Sequence, residues 1–131
     1  MTIRGGFPLR RYEGTARLPR TEDFFWKHQF SAILSHIQTH YADITLTELA
    51  KRFHYSEKQI SRIVHNCMGI SYHQLILKLR MEKAASLLKQ QSASVEAIAS
   101  AVGYSTVSSF YRAFTKYYGT TPVAYMKKAE K

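Results

Sequence analysis

From Thr21 onward, apolar residues recur at the three- and four-residue steps of an α-helix rather than alternating as in a strand. Trp26, Phe30, Ile33, Ile37 and Tyr41 place one apolar stripe on a first helix over about residues 24–40. Thr45-Leu46-Thr47-Glu48 then has the form of a capping box, in which a threonine oxygen and a glutamate three positions on satisfy free amides at a helix start. The second helix that begins there fades at Phe53. Ser56-Glu57-Lys58-Gln59 opens a third helix that stops at Gly69, and Ser71-Tyr72-His73-Gln74 opens a long one to about Gln90. Later starts fall at Ser94, at Ser105 and at Thr121-Pro122, where proline takes the first helical position. Gly69, Gly103 and Gly119 stand where helices end and can take the left-handed conformation of a C-terminal cap. The pattern predicts an all-α body of seven helices.

The pattern also repeats. TLTELAKRFHYS from Thr45 returns as SVEAIASAVGYS from Ser94, and beyond it Ile60, Arg62, Val64, Gly69 and Ser71 correspond to Phe110, Arg112, Phe114, Gly119 and Thr121. The offset changes from 49 to 50, so one residue is inserted at the start of the second copy's later helix. Each copy reads as a short helix with a small residue at its middle (Ala50, Ala99), a tight turn and a second helix, the order of a helix-turn-helix. The turn holds His54 or Gly103; glycine takes positive φ freely, and histidine is enriched there among other residues. In the later helices Ile60, Ile63, Val64 and Cys67 face inward, as do Phe110, Ala113, Phe114 and Tyr117. Lys58, Ser61, Arg62 and His65 face outward, as do Ser108, Tyr111, Arg112 and Thr115. The long helix between the copies spans roughly 30 Å at 1.5 Å per residue, close to the ~34 Å between successive major grooves on one face of DNA.

Composition narrows the partners. Nineteen Lys and Arg against nine Asp and Glu leave a net charge of +10, while 45% of the residues are hydrophobic. A foldable yet strongly basic chain points to a polyanion, nucleic acid ahead of an anionic membrane. The longest apolar run, Val123 to Met126, is too short to span a bilayer. No secretory signal stands at the start, and the single Cys67 cannot form an internal disulfide, so a reducing cytoplasm is the expected location. The first twenty residues hold five arginines, three of six glycines and two of three prolines, and read as a basic tail or linker.

These residues resemble the AraC/XylS family of bacterial transcription regulators, specifically its DNA-binding domain. The resemblance covers about residues 27–126. It is carried by Arg80-Met81 with Ala84, Leu87 and Leu88, by Ile98-Ala99 and Gly103-Tyr104, and by Ser109-Phe110 through Arg112 and Phe114 to Gly119, Thr121-Pro122 and Tyr125. In the first half it is carried by Leu49-Ala50, Ser56, Ile60, Arg62 and Gly69. The chain departs from the family at Val64-His65, usually an aromatic and lysine, and at Met126, usually arginine. The implied fold is a homeodomain-like pair of helix-turn-helix subdomains joined by a long central helix. The implied domains are a linker at 1–22 and a DNA-binding domain at 23–131. Within the latter lie helix-turn-helix units at 45–69 and 94–119, a connecting helix at 71–91 and a last helix at 121–129. The implied base contacts are Lys58, Ser61 and Arg62, then Val107, Ser108 and Arg112; Val107 offers only apolar contact, such as to a thymine methyl. Ser56, Gln59, His65, Ser105, Thr106 and Lys116 are the expected backbone contacts, with Ser56 and Ser105 also reading as helix caps. The implied partners are double-stranded DNA and RNA polymerase. The isolated domain is expected to be monomeric; the chain is either a stand-alone short regulator or, as its Gly-, Pro- and Arg-rich start suggests, the C-terminal part of a longer regulator that can dimerise.

No catalytic constellation, cofactor or metal site is expected. His36 and His40 stand four apart as helical zinc ligands would, but Ile37 occupies the place of the glutamate that a zincin-type motif needs. The rival reading, a basic helical module for RNA or an anionic surface, fits the charge. It fits the helices less well, because Phe110 and Phe114 point inward rather than offering stacking surfaces.

Overall fold

The computed structural model describes the backbone of residues 21–129 and the side chains of residues 28–129. The basic segment at 1–20 and the Trp26 side chain lie outside the described residues. Among the described residues there are seven helices and no strand: α1 (Thr21–His40), α2 (Leu46–Phe53), α3 (Glu57–Met68), α4 (Tyr72–Gln90), α5 (Val95–Ala101), α6 (Val107–Tyr118) and α7 (Pro122–Ala129). Helix α1 starts before the expected residue 24, because an apolar stripe marks where a helix is buried and not where its polar first turn begins.

The chain divides into two compact units. One comprises α1 as far as Ile37 together with Thr45–Tyr72, which carries α2 and α3; the other comprises Gln38–Ile44 and the chain from His73 onward. In the first unit Ile33 and Ile37, Leu49 and Ala50, and Ile60, Ile63 and Val64 are the buried apolar side chains of α1, α2 and α3. His36 meets Phe53 edge to face, with ring centroids 6.1 Å apart, tying α1 to the end of α2. In the second unit Met81, Ala84 and Leu88 of α4, Ile98, Ala99 and Val102, and Phe110 and Phe114 of α6 form one buried cluster. Removing a side chain such as Phe110 or Leu88 from water contributes ~1.5–3 kcal/mol each.

The two helix-turn-helix turns close with the same pair of backbone bonds. The Tyr55 N–H donates to the Ala50 carbonyl at 2.9 Å and the His54 N–H to that of Lys51 at 3.3 Å. In the second copy the Tyr104 N–H donates to Ala99 at 3.0 Å and the Gly103 N–H to Ser100 at 3.1 Å. This is the Schellman arrangement, which needs a positive φ at the turning residue; His54 has φ 61° and Gly103 φ 104°. The mid-helix alanines, both buried, thus supply the accepting carbonyls as well as allowing close helix crossing.

Two sequence expectations are corrected. Ser105 is not the cap of α6: the Thr106 hydroxyl accepts from the Ser109 N–H at 3.1 Å, so Ser105 is the extra residue of the second turn. Cys67 and Tyr117, expected inward, are both exposed. They occupy matching positions in the last turns of α3 and α6. Eight-residue α2 spans about 12 Å and twelve-residue α3 about 18 Å, so the last turn of α3 outruns its partner, and α6 likewise outruns the shorter α5. In α6 the neighbouring Tyr118 is the half-buried residue instead, its hydroxyl donating to the Met81 carbonyl at 3.1 Å.

Candidate nucleic-acid interface

Helix α3 is fixed at its start by a complete capping box. The Ser56 hydroxyl accepts from the Gln59 N–H at 3.1 Å, and the Ser56 N–H donates to Gln59 Oε1 at 2.8 Å. With Ile60, Ile63 and Val64 buried, the opposite side carries Lys58, Arg62 and His65, all exposed, and Ser61, half-buried. Gln59 is exposed, its amide oxygen committed to the cap and its amide NH2 left as the group that can donate outward. The expected polar face of α3 is therefore assembled on one surface of one helix.

Helix α6 repeats the arrangement fifty residues on. Phe110 and Phe114 are buried, and Ser108, Arg112, Thr115 and Lys116 are exposed. Val107 and Tyr111 are half-buried, so Tyr111 is less open than expected, and Ala113 is half-buried rather than enclosed. The Thr106 hydroxyl is engaged twice, accepting from the Ser109 N–H and donating to Ser109 Oγ at 2.8 Å. Its hydrogen is thereby used inside the protein, whereas Ser105 is exposed and stands outside the cap.

A third group positions this second helix, and sequence reasoning assigned it no role. Arg80 of α4 donates from Nε to the Tyr41 carbonyl at 3.3 Å and from Nη2 to the Ala42 carbonyl at 3.4 Å, while its guanidinium lies 5.2 Å from the Tyr104 ring centroid. Ala42 also closes on the turn directly, since a Cβ built on Gly103 would lie 2.3 Å from its carbonyl oxygen. Arg80 thus holds the loop after α1 against the turn that aims α6. Burial pushes the Tyr41 hydroxyl pKa up, and the Arg80 charge offsets only part of that. Sequence carried Arg80 and Gly103 as signature positions, but their partners are backbone carbonyls some forty and sixty residues away, for which no side-chain pattern exists.

Among the described residues no group of three or more His, Cys, Asp or Glu gathers as a metal would require, and no helix is long and apolar enough to cross a membrane. What the geometry supplies is two capped helices, each turning an exposed arginine outward at the matched position, Arg62 and Arg112. The helix-turn-helix domain family matches residues 49–128, from α2 into α7. This chain belongs to the AraC-type helix-turn-helix family.

Its AraC-type relatives include the uncharacterized helix-turn-helix type transcriptional regulator YfiF of Bacillus subtilis, 34% identical over 100 residues, covering 72% of this chain and 32% of YfiF. The transcriptional activator FapR of Escherichia coli is 37% identical over 87 residues, covering 63% of this chain and 33% of FapR. The chain therefore spans about a third of the length of the curated relatives it matches. Among solved structures, the C-terminal domain of AraT, a response regulator from Geobacillus stearothermophilus, superimposes with a TM-score of 0.73 at 35% identity, covering 76% of this chain and 84% of that one. The AraC-type signature residues Met81, Ala84, Leu88, Ile98, Ala99, Phe110 and Phe114 all belong to the buried cluster of the second unit, so the resemblance is carried mainly by packing.

Proposed function

We propose that this chain is the DNA-reading part of a transcription regulator, binding duplex DNA sequence-specifically with α3 and α6 in successive major grooves. The observation that carries the reading is the recurrence of one exposed arginine, Arg62 and Arg112, at the same position of two capped twelve-residue helices. An arginine presented this way can donate two hydrogen bonds to the O6 and N7 acceptors of guanine. Lys58, Ser61 and Arg62 then read one half-site, and Val107, Ser108 and Arg112 the other. Ser56, Gln59, His65, Ser105, Thr106 and Lys116 hold phosphates, Gln59 through its amide NH2, Ser105 through its uncommitted hydroxyl and Thr106 through its backbone N–H, its hydroxyl hydrogen being used by Ser109. RNA polymerase engages the surface left outside the groove, and one isolated chain occupies one non-palindromic site.

The test is a selection from a random duplex library with the intact chain, repeated for Arg62→Ala and Arg112→Ala. Each substitution should cost ~1–3 kcal/mol and relax base preference in its own half-site, whereas Lys116→Ala should weaken all sequences alike. If ~6–10 phosphates are held, affinity should fall by about 10³–10⁵ between 50 and 200 mM salt. Unchanged base preferences in both arginine variants, with helical content intact, overturn the assignment; a flat salt titration overturns duplex binding itself.

A further inference from the structure

Helices α3 and α6 correspond residue for residue at an offset of fifty, yet their outward faces differ in chemistry. The edge of the face that carries Glu57 and Ser61 in α3 carries Val107 and Tyr111 in α6. Positions four apart on a helix are neighbours, so the two apolar side chains stand side by side, next to exposed Ser108 and Arg112. Neither is absorbed by the core. Val107 packs one side against the buried cluster and remains half-exposed, and Tyr111 is half-exposed on the same edge. The α6 face also carries no acid, whereas α3 opens with Glu57, whose carboxylate is held by the Thr47 hydroxyl.

A half-exposed apolar pair beside a groove-reading arginine calls for an apolar group on the base edges. In the major groove that group is the C5-methyl of thymine, every other distinguishing feature there being a hydrogen-bond donor or acceptor. We propose that Val107 and Tyr111 form a specificity subsite that reads thymine methyl groups next to the base contacted by Arg112, with no counterpart on α3. This rests on the proposed duplex-DNA reading and adds Tyr111 to the residues that determine sequence preference. The two half-sites thus differ in kind: the α3 half is chosen by polar and charged contacts, and the α6 half by one arginine together with methyl contacts.

The experiment uses the intact chain and the duplex it selects, with each thymine replaced in turn by deoxyuridine, which removes the methyl and keeps every hydrogen-bonding group. The α6 half-site is the one whose preference relaxes in Arg112→Ala. Expected is a loss of about fourfold per methyl there, the value of one apolar carbon removed from water, and no loss in the α3 half-site. The uracil penalty should vanish in Tyr111→Ser or Val107→Ala and persist in Lys58→Ala; because the uracil series uses the unaltered protein, it stands even where a variant folds poorly. Uracil tolerated throughout the α6 half-site, or a penalty undiminished in both variants, overturns the subsite alone. A chain that selects no duplex sequence overturns the subsite and the proposed function together.

Discussion

Replacing Gly103 with alanine tests how the second helix-turn-helix is held. Gly103 has φ 104°, and a Cβ there would lie 2.3 Å from the Ala42 oxygen and 3.0 Å from the Ala42 Cα. Two costs combine. An alanine forced to positive φ loses roughly 1–2 kcal/mol, and pushing a methyl into packed atoms loses roughly 1–3 kcal/mol more. Because the clashing atoms are backbone, no rotamer change relieves them; the loop must move, and the Arg80 bond to the same carbonyl, at 3.4 Å, must move with it. Gly119→Ala is the control, since Gly119 has φ 76° with nothing within 4 Å of the added carbon, and it carries the conformational cost alone. The assay is urea unfolding followed by far-ultraviolet circular dichroism. With slopes of ~1–3 kcal/mol per molar urea, the steric excess of Gly103→Ala should lower its midpoint by roughly 0.5–2 M beyond that of Gly119→Ala. Equal midpoints for the two variants would refute the close approach between the turn and the Ala42 loop.

Capping gives a second test: Ser56→Ala and Thr106→Ala should each cost ~1 kcal/mol, whereas Ser105→Ala should stay within about 0.5 kcal/mol, and the reverse order in urea midpoints would restore Ser105 as the cap. His54→Gly should raise stability by up to about 1 kcal/mol by relieving the left-handed backbone, while His54→Val, β-branched at φ 61°, should lower it; thermal melts of the pair read the sign directly. Phe114→Ala should cost ~3–5 kcal/mol, and Tyr117→Ala, although only three residues away, should cost less than about 1 kcal/mol because its ring is already exposed.

The outward faces of α3 and α6 differ in chemistry. On α3 the cap consumes the Gln59 oxygen and leaves Lys58, Arg62 and His65 exposed around it. On α6 the cap consumes the Thr106 hydroxyl hydrogen and leaves Arg112 and Lys116 exposed, again two basic side chains, with half-buried Val107 and Tyr111 where α3 has Glu57 and Ser61. The same scaffold thus carries two basic side chains on each face but flanks them with polar groups on α3 and apolar ones on α6, and under the proposed function that difference lets a duplicated unit read an asymmetric site.

Local physics was legible without coordinates. Helix periodicity, the boxes at Thr45 and Ser56, the Ser94 cap and proline at the start of α7 all depend on residues within four positions of one another, and each stands where the sequence placed it. The left-handed His54 was legible by a different route, because the repeat aligned it with Gly103. The exposure of Cys67 and Tyr117 was not, since a helical stripe says which side turns inward and is silent on how far the neighbouring helix reaches. Nor was the choice between Ser105 and Thr106, two adjacent hydroxyls equally able to cap, decided by where the turn ends after Gly103. The Arg80 clasp on the Tyr41 and Ala42 carbonyls lay further out of reach, because backbone acceptors look the same at every position of a sequence. Short-range hydrogen bonding and burial periodicity are written residue by residue, whereas the extent of burial and the partners of a long side chain exist only once distant segments have met.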